Sequence, residues 1–149
     1  MFRLAVKFLR LPLKKKWFLL CIFILLGMVR LCILVVPFRF ISLLLKKPMP
    51  IKSNQVMDTS SYLELTRWSL ACISPYTPWE SKCLVQAITA KLLLRLKGVP
   101  SILCLGVARD EHNKLMAHAW LCSGKTIVTG GEGYPRFTVV SKYTDELPV

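Results

Sequence analysis

The sequence predicts an α+β domain: a helix followed by an antiparallel sheet, with further helices ahead of it. Three observations predict this. Residues 82–97 are strong helix formers, closed by Gly98 and Pro100. Beyond them come four apolar runs of strand length, separated by turn residues. Before them lies a Leu-rich, basic stretch whose charges fall at helical spacing.

The elements follow in order. Arg3, Lys7, Arg10 and Lys14 recur every three or four residues and share one helical face, which Pro12 interrupts. Pro37 ends the next long apolar segment, and "FRFISLLLKK" makes another helix before "PMP". "KKPMPIKSNQ" is a linker, with two prolines among polar residues. "TSSYLELTRWSLACISPY" is helical, with Thr59, Ser60 or Ser61 as cap, and "SPYTPW" breaks it. Ser81 is a candidate cap for the 82–97 helix, with Lys91, Arg95 and Lys97 near its negative end. "SILCLGVA" is apolar on both alternating faces, as a central strand is. "RDEHNK" turns into a second strand, "LMAHAWLC". "SG" turns into a third, "KTIVTG", and "GEGYP" into a fourth, "RFTVVSKY". The expected arrangement is a simple antiparallel meander.

Charge divides the chain. Of 149 residues, 21 are Lys or Arg and 8 are Asp or Glu, a net charge of +13. Residues 1–52 hold 11 basic residues and no acid. The rest is nearly neutral. Two regions are therefore expected: a basic, apolar helical region at 1–52 and a catalytic-sized globular domain at 53–149. The basic charge lies in apolar sequence without aromatic interleaving or a recognition motif, which argues against a nucleic-acid binder. Six cysteines form no C-x-x-C pair, and two histidines complete no zinc pattern. No metal is expected, and no phosphate-cradling glycine loop implies a cofactor. The cysteine usage suits a reduced, cytoplasmic setting.

The N-terminal region invites comparison with a membrane span. The uninterrupted apolar run from Trp17 to Val29 is 13 residues, short of the roughly 20 that cross a bilayer. Extending it places Arg30 near the bilayer centre, at about 2.5–3.5 kcal/mol. No small-residue cleavage site follows the run. The expectation is helices packed on the domain, with a peripheral contact at the inner membrane, rather than a span.

Two residues stand out chemically. Cys83 falls at about the second position of its helix, beneath unpaired backbone N–H groups that favour a thiolate. His118 lies on a strand, sharing a face with Met116, Trp120 and Cys122. A lone histidine in an apolar strand is more often a packing residue than a catalyst. A nucleophilic cysteine, however, needs a neighbouring base, and a sheet packed on the Cys83 helix can bring His118 to it.

A helix-initial "CLVQAITAKLLLRLKGVPS", then a strand, then "AHAWLCSGKTIVTGG", resembles the stand-alone transglutaminase-like cysteine protease of lasso-peptide biosynthesis, the B protein. The N-terminal "FLRLPLKKKWFLL" through "LVVPFRF" is similar too, so the resemblance covers nearly the whole chain. It implies a transglutaminase-like, papain-like cysteine protease core. It implies removal of the leader from a ribosomally made precursor peptide, with Cys83 as nucleophile and His118 as general base. The implied partners are the lasso precursor peptide, a separate leader-binding protein and an asparagine-synthetase-like cyclase. That family often carries an Asp twelve positions after the histidine, where this chain has Gly130. Glu132 is the nearest acid, and a backbone carbonyl or Asn113 are the other candidates to orient the imidazole. The oxyanion donors are expected to be the Cys83 backbone N–H and one donor from the preceding segment, with Trp79 the candidate.

Two other classes compete with the peptidase. The missing Asp suits a non-catalytic transglutaminase-like module that binds peptide or scaffolds a partner. Residues 17–38 suit a small membrane-anchored protein.

Overall fold

The computed structural model describes residues 9–48, 59–79 and 81–145. The boundary expected near residue 52 lies outside the described residues, as does the linker's centre.

Among the described residues, four longer helices precede a four-stranded sheet. Helix α1 (Leu13–Val35) begins after Pro12 and ends just before Pro37, as the prolines dictate. Helix α2 (Phe38–Lys46) starts immediately after Pro37. Helix α3 (Thr59–Ile73) runs into a short 3-10 turn at Ser74–Tyr76. Helix α4 (Cys83–Leu96) closes on Gly98, at φ 68°. The strands are β1 (Ile102–Arg109), β2 (Leu115–Ser123), β3 (Thr126–Thr129) and β4 (Thr138–Thr144).

The sheet is antiparallel but not a simple meander. Its order is β3-β2-β1-β4. β4 passes over the sheet and pairs with β1, with a register shift between Leu105 and Gly106. The reason lies in the edges of β1: β2 pairs with one, and β4 takes the other, so that the backbone N–H and C=O groups of this central strand are paired on both sides.

One core joins the helices to the sheet. Ile22, Leu26 and Leu45 from the N-terminal helices meet Leu70, Ala87, Leu94, Leu103, Ala119 and Leu121 in a single buried cluster. Helix α1 is longer than its uninterrupted apolar run suggested, because Arg30 sits within the helix rather than ending it. It has 23 residues and a window of mean hydropathy 2.9, of which 22% is buried against the rest of the chain. By length and composition it could cross a membrane. Its inner face, however, is part of this core.

A second tie is ionic. Asp145, past the end of β4, accepts from Lys91 Nζ at 2.9 Å and from Arg95 Nε at 2.7 Å. The Ser101 hydroxyl and backbone N–H also donate to its Oδ2. Arg95 then reaches the last carbonyls of α2, donating to Leu45 O at 2.7 Å and Leu44 O at 3.1 Å. Leu44 O also accepts from the N–H of the cap residue Lys47 at 3.4 Å, and the guanidinium adds donors at a helix end where carbonyls run out of intrahelical N–H groups. The knot thus fastens α2, α4 and the β1–β4 edge together.

Candidate active site

Cys83 is the first residue of α4. Lys82 is the cap in place of Ser81, whose hydroxyl instead lies 2.7 Å from Thr77 Oγ1. Gln86, one turn along, donates from Nε2 to Ser81 O at 2.7 Å and pins the chain entering the helix. The half-buried thiol therefore stands at a fixed helix start, beside first-turn N–H groups that lack intrahelical partners.

His118 is half-buried on β2 and pairs with Gly106 of β1. Its ring lies 4.9 Å from the Phe137 ring and 6.0 Å from that of Trp120. Gly106 makes this wall possible. A Cβ there would come within 2.9 Å of both Phe137 and Trp120. Strand alternation puts His118 with Trp120, while Ala119 and Leu121 face the helical core. The face that packs on α4 is therefore not the histidine's own, which corrects the expectation that a sheet packed on this helix would present His118 from its packed face. The segment carrying Tyr134 and Phe137 covers the histidine's face on its way to β4.

The imidazole is oriented from the end of β3. Its Nε2 lies 2.8 Å from Gly130 O. A carbonyl only accepts, so Nε2 donates in this hydrogen bond, and in the neutral ring the lone pair is on Nδ1. This is the position where an Asp was looked for, and the backbone supplies the acceptor instead. Gly130 adopts φ +71°, and a Cβ there would run into Ala119 O. Only glycine fits this conformation and this approach. Glu132 is exposed and forms no hydrogen bond with His118. Asn113 lies in the β1–β2 turn at φ 60°, where its carbonyl accepts from Arg109.

Cys83 and His118 line one cleft of about 960 Å³. Glu64 and Arg67 of α3 form one wall, and residues 125–132 form another. Thiol and imidazole make no direct hydrogen bond. Trp79 does not line the cleft. Its ring packs over Gly27 of α1, where a Cβ would approach within 2.9 Å, and lies 5.0 Å from the Phe23 ring. His112 sits in the β1–β2 turn, exposed and away from the site.

Burial pushes the thiols of Cys72, Cys104 and Cys122 above their ordinary range. Deprotonation is therefore disfavoured at all three. Cys21 and Cys32 are exposed on α1.

A family model of the transglutaminase-like superfamily matches residues 25–142. The chain belongs to that superfamily. No curated protein and no solved structure matches it. The match to this transglutaminase-like chain begins within α1 and ends within β4, so it takes in both α4 and the His118 strand. The superfamily includes cysteine proteases and acyltransferases. A backbone carbonyl was among the expected partners of the imidazole, but that it is Gly130 O emerges only once β3 is placed against β2. The α3 wall of the cleft had no local signal at all.

Proposed function

We propose that this transglutaminase-like chain is a cysteine peptidase that removes the leader from a ribosomally made lasso-peptide precursor. The observation that carries the reading is the cleft shared by Cys83, at the first position of α4, and His118, held by Gly130 O. His118 Nδ1 takes the thiol proton, and the sulfur attacks the scissile carbonyl. First-turn N–H groups of α4, that of Cys83 among them, would be the donors to the developing oxyanion. Collapse breaks the peptide bond. The imidazolium returns its proton to the leaving amine of the core peptide, and the leader remains as a thioester on Cys83. Water then hydrolyses the thioester, with His118 as base. The freed amine is the group that a separate asparagine-synthetase-like cyclase would close into a macrolactam. A small leader-binding protein would present the precursor. By family resemblance, the precursor commonly carries Thr at the second position before the cut.

A second reading is a non-catalytic peptide-binding module. It is favoured by the open thiol–imidazole geometry and the aromatic packing of His118. One experiment separates the two. A Cys21→Ser/Cys32→Ser background removes the exposed thiols. In it, limiting iodoacetamide at neutral pH should alkylate Cys83 first, and His118→Ala should slow that alkylation at least tenfold. Incubation with a lasso-peptide precursor and a separate leader-binding protein should release the leader, read by mass spectrometry. Cys83→Ala should release none. Alkylation of Cys83 no faster than that of a free thiol, with intact precursor, would establish the binding module.

A further inference from the structure

Helix α1 carries two apolar stripes. The inner one is Leu19, Ile22, Leu26 and Val29, all buried. The outer one is Leu13, Trp17, Leu20, Ile24, Met28, Leu31 and Val35, each between 48% and 73% exposed. At about 100° per residue the two stripes are centred on opposite sides of the helix. A single face suffices for docking on a domain. The outer stripe therefore has no use within this fold.

Helix α2 enlarges the patch. Phe40, Leu43 and Leu44 are exposed. Between the two helices opens an apolar groove of about 270 Å³, bordered by Met28, Cys32, Val36, Phe40 and Leu44. Contiguous exposed apolar surface of this kind marks an interaction site.

Charge identifies the occupant. Residues 9–48 contain eight basic side chains and no acid. Lys14 is exposed on the flank of the outer stripe, and Arg39, Lys46 and Lys47 are exposed on and beside α2. Trp17 stands at one end of the stripe, 67% exposed. An apolar stripe flanked by Lys and Arg, with an aromatic at its end, suits the headgroup–acyl boundary of an anionic bilayer.

The orientation follows from the inner stripe. Ile22 and Leu26 are fully buried, the Trp79 ring lies on Gly27, and the Phe18 ring is 6.0 Å from that of Tyr62. Surrounding α1 with lipid would strip all of these contacts from the core. We infer that α1 and α2 seat the protein in the plane of an anionic lipid surface, with the outer stripe in the acyl boundary and the inner stripe still on the domain. The helix then lies along the membrane for roughly 35 Å and does not cross it. This inference is independent of the peptidase reading.

The test is flotation of the full-length protein with vesicles. One set is phosphatidylcholine alone, and the other has part replaced by phosphatidylglycerol. Anionic vesicles should carry at least tenfold more protein than neutral ones, with less bound at high salt. Ile24→Glu/Leu31→Glu should lower flotation at least tenfold. Both positions are exposed, so the circular dichroism spectrum and melting midpoint should be kept. Lys14→Gln/Lys46→Gln should lower only the preference for anionic vesicles, which keeps the test meaningful if the glutamate variant fails to fold. Four results would overturn the inference. The first is no flotation with either vesicle. The second is flotation unchanged in both variants. The third is carbonate-resistant cell-membrane protein with tags at its two ends on opposite sides. A soluble complex that uses Ile24 and Leu31, without vesicle binding, would assign the face to a protein partner instead and also overturn it.

Discussion

The two ends of α4 make opposite use of polar side chains. Near its C-terminal end, Lys91 and Arg95 are buried and converge on Asp145, with backbone carbonyls taking the remaining donors. At its N-terminal end, Cys83 is half-buried in an open cleft and makes no hydrogen bond with His118. The first arrangement is closed: Lys91, Arg95 and Asp145 are buried and held by fixed partners. The second is incomplete. Its thiol and the imidazole of His118 line one space that a third group could enter. A buried ion pair that loses one partner is costly, whereas a half-exposed thiol contributes little to folding. Stability and reactivity thus sit about three turns apart on one helix.

The comparison breaks most sharply at Asp145. Asp145→Ala leaves two cations buried without their carboxylate. It should cost about 3–5 kcal/mol, read as a lower denaturation midpoint in urea. Gly130→Ala comes next. It forces a Cβ into the left-handed conformation and against Ala119 O, at about 1–3 kcal/mol. It should also displace the carbonyl that orients His118, so alkylation of Cys83 should slow. Cys83→Ala should cost about 1 kcal/mol or less while removing all cleavage. Alanine at Cys72, Cys104 or Cys122 should retain cleavage, apart from packing losses. If Cys83→Ala proved as destabilising as Asp145→Ala, the contrast between the two ends of the helix would fail.

Acid sharpens the same contrast. Burial by itself raises the Asp145 carboxyl, but hydrogen bonds from Lys91 and Arg95 outweigh it and hold it below the usual carboxylate range. A folded value lower than the unfolded one contributes stability that is fully present above pH ~4. That stability is lost as the pH falls through the folded value. Asp145→Asn should therefore flatten the acid limb of stability against pH, measured by urea denaturation at several pH values. Cys83→Ala should leave that limb unchanged.

Much of this protein was legible from local signals. Pro12 and Pro37 bracket α1, Gly98 and Pro100 stop α4, and apolar runs split by turn residues mark β1 to β4. These are properties of neighbouring residues: a fixed proline φ, a permissive glycine, an alternating side-chain period. Cys83 at a helix start belongs to the same class. The tertiary structure decided what depends on distant pairs. It put β4 beside β1 because β1 needed cover on both edges. It joined Arg95 to the carbonyls of α2 across about fifty residues. It gave His118 a carbonyl acceptor at the position where a carboxylate was sought. It also exposed a second apolar stripe on α1, which composition alone could not separate from the buried one. Sequence spacing places residues on a face, but which face meets the core, and what remains uncovered, is settled only when all the elements compete to bury apolar surface together.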